Sequence, residues 1–220
     1  MRLTQVRSLP GAGRVAAQLS ILVCLAVAAA TPASCDLVDG FAADQSGASA
    51  SALSLARRAF DTYTLHRERI PTPDDLPELL RERSGAFVSA VKGDAPRCCM
   101  GSLYPTQPTL ADEIIQAAVA AAGLDARKPP VEPQELSRLQ LIVSIVAPPE
   151  SITDPRSIDP VTQGLAARGR ERTGVVLPGE TPHLNLAIKW ARVRAGAAPD
   201  EPVEYFRIRA FRIAERRDRR

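Results

Sequence analysis

The order in which the hydrophobic period changes between Ala86 and Ala122 limits the fold more than any other feature of the chain. Ala86-Phe87-Val88-Ser89-Ala90-Val91 has strand composition, Gly93-Asp94 supplies a turn, and Arg97 to Leu103 returns as the partner strand. Thr109 then stands as an N-cap, with Asp112 and Glu113 in the first turn of a helix over 110–122 and Gly123 as its stop. A hairpin that runs straight into an alanine-rich helix asks for an antiparallel sheet with a helix packed close to it.

The flanking segments extend this reading. Leu53, Ala56, Phe60 and Tyr63 recur at helical spacing and predict an amphipathic helix that stops before Pro71. Residues 71–83 read as a proline-punctuated loop with a short helix around Leu76 to Leu80. Pro133 to Leu139 predicts another short helix, and Leu141 to Val146 a buried strand ended by Pro148-Pro149. A second hairpin is predicted over 164–167 and 174–178, with its turn at 169–172. Thr181 with Pro182 starts a helix whose apolar face is Leu184, Ala187 and Trp190 or Ala191, and Gly196 terminates it. Val203 to Ile213 alternates as one strand, with Phe206, Ile208 and Ala210 on one face. Hairpins and helices without regular strand-helix-strand alternation give an α+β domain. A chain of 220 residues accommodates one such domain plus a terminal extension.

That extension is the N-terminus. Arg2, Arg7 and Arg14 precede an apolar run that ends at Ala30, and no acid occurs before Asp36, so residues 1–35 have the outline of an export signal. Two processing routes compete, with an uncleaved anchor as a third option. Ala28-Ala29-Ala30 and Thr31-Pro32-Ala33 suit conventional cleavage, whereas Ala33-Ser34-Cys35 resembles the end of a lipoprotein box, with Cys35 as the lipidation site and Pro32 where leucine is usual. Either route makes the protein exported, periplasmic or lipid-anchored, with membrane contact only through the leader. Residues 36–52, rich in Ala, Ser, Asp and Gly, read as a flexible linker, 53–216 as the domain, and 217–220 as a basic tail. The leader's three arginines account for the whole formal charge of +3, so the rest of the chain is neutral and offers no bulk electrostatic field for nucleic acid.

Chemistry concentrates in Arg97-Cys98-Cys99-Met100-Gly101-Ser102-Leu103-Tyr104-Pro105-Thr106-Gln107-Pro108-Thr109. This block closely resembles the signature of the AMMECR-one domain family, Leu-Arg-Gly-Cys-Ile-Gly followed in its bacterial branch by Pro-Thr-Gln-Pro-Thr-Leu. Arg97, Cys99 and Gly101 fall on the central positions, while Cys98 replaces the usual glycine and Met100 the usual isoleucine. The likeness extends from about Leu53 to Ile213 and implies two unequal subdomains, with an antiparallel sheet, flanking helices and a cleft between them. It also implies association with a Memo-like protein and a radical-SAM protein. The leader departs from the pattern of the family, most of whose members look cytoplasmic.

Two readings of the thiols stay open. A guanidinium beside Cys99 favours thiolate and can grip an anion, making Arg97 and Cys99 catalytic or binding candidates; equally, two cysteines on a strand can fill a core. A nucleophile also needs a base, and His183 and Glu180 are the candidates near the second hairpin. Many family members carry histidine where this chain has Gln163, which weakens cysteine-histidine chemistry by that route. Thr106, Gln107 and Thr109, with the helix N-terminus behind them, are candidate anion ligands. His66 and His183 are the only histidines and no Cys-x-x-Cys pair occurs, so no structural zinc is expected, and no motif calls for a cofactor. The sequence therefore points to a ligand- or partner-binding module, with a cysteine-dependent enzyme acting on a small anionic or carbonyl-bearing group as the alternative.

Overall fold

The structure is a computed structural model that describes residues 36–93, 95–198 and 200–216. The leader with Cys35 and the tail 217–220 lie outside the described residues. In chain order the elements are α1 (Leu37–Ala42), α2 (Ala48–His66), α3 (Glu78–Arg81), β1 (Gly85–Lys92), β2 (Ala95–Gly101), α4 (Leu110–Gly123), β3 (Gln140–Val146), β4 (Glu150–Ile152), β5 (Gly164–Arg168), β6 (Thr173–Val176), α5 (Leu184–Arg194), β7 (Glu204–Ile208) and β8 (Ala210–Ala214). Pro133–Arg138, expected as a short helix, is a 3-10 helix.

Two antiparallel four-stranded sheets result, the first in the order β2-β1-β3-β8 and the second in the order β4-β7-β5-β6. One face of the first sheet presents Ala86, Val88, Ala90, Leu141, Val143 and Ile145 to α2 and α4, which answer with Ala56, Phe60, Ile114, Ile115 and Ala118. Small residues at these contacts let helix and sheet approach closely, as the alanine-rich composition of α4 predicts. The opposite face meets the second sheet through Phe87, Val146, Ala166, Leu177 and Ile208. The far side of the second sheet packs on α5 through Leu165, Val176, Ala187 and Ala191, with Trp190 partly buried beside them.

Two expectations are corrected. Residues 36–52 are not a tether: α1 buries Phe41 against Phe211, ring centroids 6.0 Å apart, and Ala48 and Ala52 of α2 are fully buried. Alanine- and serine-rich sequence looks mobile, yet alanine is the best helix former and packs without side-chain entropy cost, while Asp36 caps α1 by accepting the Val38 N–H at 3.0 Å. Residues 203–213 are not one strand either. β7 pairs with β4 and β5, β8 pairs with β3, and the break falls at Arg209, so one stretch of chain serves both sheets.

The Thr109 cap is as predicted. Its hydroxyl accepts the Asp112 N–H at 3.1 Å and donates to the Asp112 carboxylate at 2.7 Å. Thr109→Ala is expected to lower stability by about 1 kcal/mol, read as a shift in the urea midpoint with unchanged slope.

Candidate functional site

Arg97 owes its position to a bulge. Cys98 pairs with Ala90 and Pro96 with Val91, which leaves Arg97 as an extra residue in β2. Thrown off the ladder, its guanidinium donates to the Glu135 carboxylate at 2.8 and 2.9 Å and to the Pro129 and Pro130 carbonyls at 3.1 to 3.3 Å. The hydrogen bonds from Arg97 hold the Glu135 carboxyl down at about 2, and those to Glu135 raise the Arg97 pKa. The expectation that Arg97 grips a ligand is therefore corrected: it clamps the loop after α4.

The two thiols point to opposite faces, as strand alternation requires. Cys98 enters the core beneath α4, is 5% exposed, and burial pushes its pKa up to about 12 despite Arg97 nearby. Cys99 lies on the outer face opposite Ser89. Burial raises the Cys99 pKa; Ser89 and the charges of Arg127 and Arg194 lower it, and Glu180 raises it further. Its backbone is held as well: the Cys99 N–H donates to Asp125 at 3.0 Å, and Arg127 donates to the Cys99 carbonyl at 2.7 Å. Burial lifts the Asp125 carboxyl, but the hydrogen bonds from Arg127 and Cys99 outweigh it and leave the pKa lowered.

Of the other predicted residues, Glu180 is near enough to Cys99 for its charge to raise the thiol's pKa. Its carboxylate pairs with Arg194 at 2.8 Å and accepts the Leu177 N–H at 2.9 Å. His183 is exposed at the N-cap of α5, where its side chain caps nothing, and it is absent from the groups acting on Cys99. Gln163 accepts the Asp159 N–H at 3.3 Å. The anion site at Thr106, Gln107 and Thr109 is filled from within. Glu113, 2% exposed, accepts the Thr106 and Gln107 N–H groups at 2.7 and 2.9 Å and the Thr106 hydroxyl at 3.1 Å, while Thr109 is engaged with Asp112. The helix's own carboxylate thus takes the place expected for a ligand, which corrects those three assignments.

What remains is the outer face of the first sheet. At one end Phe87 and Val146 lie under the second sheet; Ser89, Cys99 and Ser144 occupy the middle. At the other end Val91, Gln140, Ile142, Arg212, Ala214 and Glu215 line a groove of 280 Å³. The ion pairs Asp125–Arg127 and Glu180–Arg194 flank Cys99. Ser89, Asp125, Arg127, Glu135, Arg194 and Arg212 escape sequence reasoning because their importance depends on long-range pairing. The one local signal is Asp125-Ala126-Arg127, in which Asp125 accepts the Arg127 N–H two residues on at 3.1 Å. Among the described residues, no cluster of three His, Cys, Asp or Glu side chains could hold a metal ion, and no helix is long and apolar enough to cross a membrane.

The same architecture is found elsewhere. The family model AMMECR1 matches residues 53–215. A protein of Thermotoga maritima is 37% identical over 160 residues, covering 70% of this chain and 91% of its own length. One from Thermococcus kodakarensis is 37% identical over 134 residues, 56% of this chain and 65% of the relative. The crystal structure of an uncharacterized protein from Pyrococcus horikoshii superposes with a TM-score of 0.66 at 29% identity, covering 78% of this chain and 93% of that one.

Proposed function

Since the chain belongs to the AMMECR1 family, we propose that it acts as a non-covalent binding module, using the outer face of the first sheet to hold a ligand or a partner, on a protein exported or membrane-tethered by its leader. The observation that carries this reading is the state of Cys99. Its pKa is raised by burial, Arg97 is committed to Glu135, and His183 is exposed at the N-cap of α5. A cysteine nucleophile needs the reverse, a lowered pKa and a base within reach. Memo-like and radical-SAM proteins are the partners the family resemblance suggests.

The test is the pH dependence of iodoacetamide labelling of the full chain, with the modified cysteine identified by mass spectrometry. Cys98 is expected to stay unlabelled until the protein unfolds. Cys99 should react more slowly than a free thiol of pKa about 8.5 at every pH below that value. No Cys98–Cys99 disulfide should form, because the side chains leave opposite faces of β2. Fast labelling of Cys99 near neutral pH, slowed by Arg127→Ala, would instead favour the cysteine-dependent enzyme.

A further inference from the structure

The groove at the open end of the first sheet's outer face has a chemistry of its own. We propose that it binds the carboxylate of a small, otherwise apolar organic acid, with the Arg212 guanidinium as anchor. This deepens the reading of that face as a non-covalent binding site and rests on it.

Arg212 differs from its neighbours. Arg57, Arg97, Arg127, Arg194 and Arg209 are each held by a carboxylate, whereas Arg212 makes no ion pair with any described residue. Glu215 also lines the groove, but its carboxylate is paired with Arg57 and accepts the Leu141 N–H at 2.8 Å, so its charge is already balanced. The groove is left with one uncompensated positive charge. A second polar group stands beside it: Ser144 faces Arg212 across the β3–β8 ladder, so both side chains rise from the same face. Ser144 is 3% exposed, and its hydroxyl makes no hydrogen bond to a described residue. Arg212 is exposed, and the turn beside its guanidinium is glycine. A Cβ on Gly179 would lie 3.2 Å from Arg212 Nη1, and its φ of 74° disfavours any other residue.

Around this charge Val91, Ile142 and Ala214 supply an apolar side, and Gln140 and Glu215 belong to the lining as well. The volume of 280 Å³ lies at the small end of ligand pockets, which run from about 300 Å³ upward. A planar guanidinium matches a carboxylate through two parallel hydrogen bonds. A doubly charged phosphate would meet only one free cation in the groove, so the charge balance selects a monoanion.

The probes are hexanoate, hexyl phosphate and hexanol, titrated at constant ionic strength into the full chain labelled for amide NMR. Hexanoate is expected to give saturable shifts at Val91, Ile142 and Ala214, and hexanol to bind about tenfold more weakly or less, the loss of one charge-assisted pair. Arg212→Gln should lose hexanoate binding by a similar factor, and Arg212→Lys should restore part of it, which separates charge from fold. Equal binding of hexanol, shifts confined to other residues, or an unaffected Arg212→Gln protein would overturn the site; tighter binding of hexyl phosphate would overturn the monoanion. Failure of hexanoate with Cys99 still unreactive removes this site and leaves the binding module. Fast labelling of Cys99 with hexanoate bound removes the module and leaves the site.

Discussion

Replacing Asp125 by alanine is expected to lower the unfolding free energy by about 3 kcal/mol, because a buried carboxylate that receives several hydrogen bonds is removed while its donors remain. The Asp125 side chain is 3% exposed and accepts from the Cys99 N–H and from the backbone, Nε and Nη2 of Arg127. With Arg127 on the Cys99 carbonyl, the pair occupies both outward backbone groups of Cys99 in the middle of edge strand β2. The variant should therefore also aggregate more readily on unfolding, since a free edge is a template for pairing. The pH dependence supplies a check. The Asp125 pKa is lowered in the folded state, so its contribution is fully present above the unfolded value of about 3.9 and is lost as pH falls through the folded one. The gap between wild type and Asp125→Ala, measured by urea titration, should be flat through neutral pH and close in acid. A gap that stayed constant into acid would mean that the carboxylate's charge contributes nothing.

Gly174→Ala is expected to cost about 3 kcal/mol, at the upper end of the range for overpacking. Gly174 lies in β6 directly beneath α5, and a Cβ there would fall 2.1 Å from the Ala191 carbonyl oxygen and 2.4 Å from the Ala195 nitrogen. Both contacts are backbone, so no side chain can turn aside and the helix must lift. Trp190 on α5, the sole tryptophan, packs in this layer with the Arg194 guanidinium 5.5 Å from its ring centroid. Its fluorescence should shift to longer wavelength as the helix moves away, and the thermal midpoint should fall. Gly47→Ala is the control. A Cβ there meets nothing within 4 Å, and only the φ of 85° is strained, so about 1 kcal/mol is expected.

Most of the secondary structure is written in local period and punctuation. The β1–β2 hairpin, the Thr109 cap, the β5–β6 hairpin and α5 stand where apolar spacing and turn residues place them. The opposed directions of Cys98 and Cys99 also follow from alternation. The role of Arg97 does not, because one inserted residue redirects the side chain without disturbing the composition of the strand, and the only local hint is Pro96, tolerated since β2 is an edge. Its partner Glu135 and the Asp125–Arg127 clasp come from a segment some thirty residues downstream. Glu113 is illegible for a related reason. An acid in a first helical turn ordinarily faces water, and only the return of the Thr106-Gln107 loop onto that turn buries it. Sequence therefore locates the reactive-looking residues, and the long-range partners decide that they hold the fold.

The passage of residues 204–214 through both sheets sets a timetable for the making of this protein. β7 is the strand that joins β4 to β5, and β8 completes the other sheet beside β3. Until that stretch has left the ribosome, β4 has no neighbour in its sheet, β5 and β6 form a hairpin backed by α5, and the first sheet ends at β3. The second sheet is thus a two-stranded hairpin on one helix, with β4 unpaired, until β7 arrives. The domain stays unfinished until nearly all of it has been synthesised, and anything that reads its N-terminal residues as they emerge meets a chain whose two sheets are still incomplete.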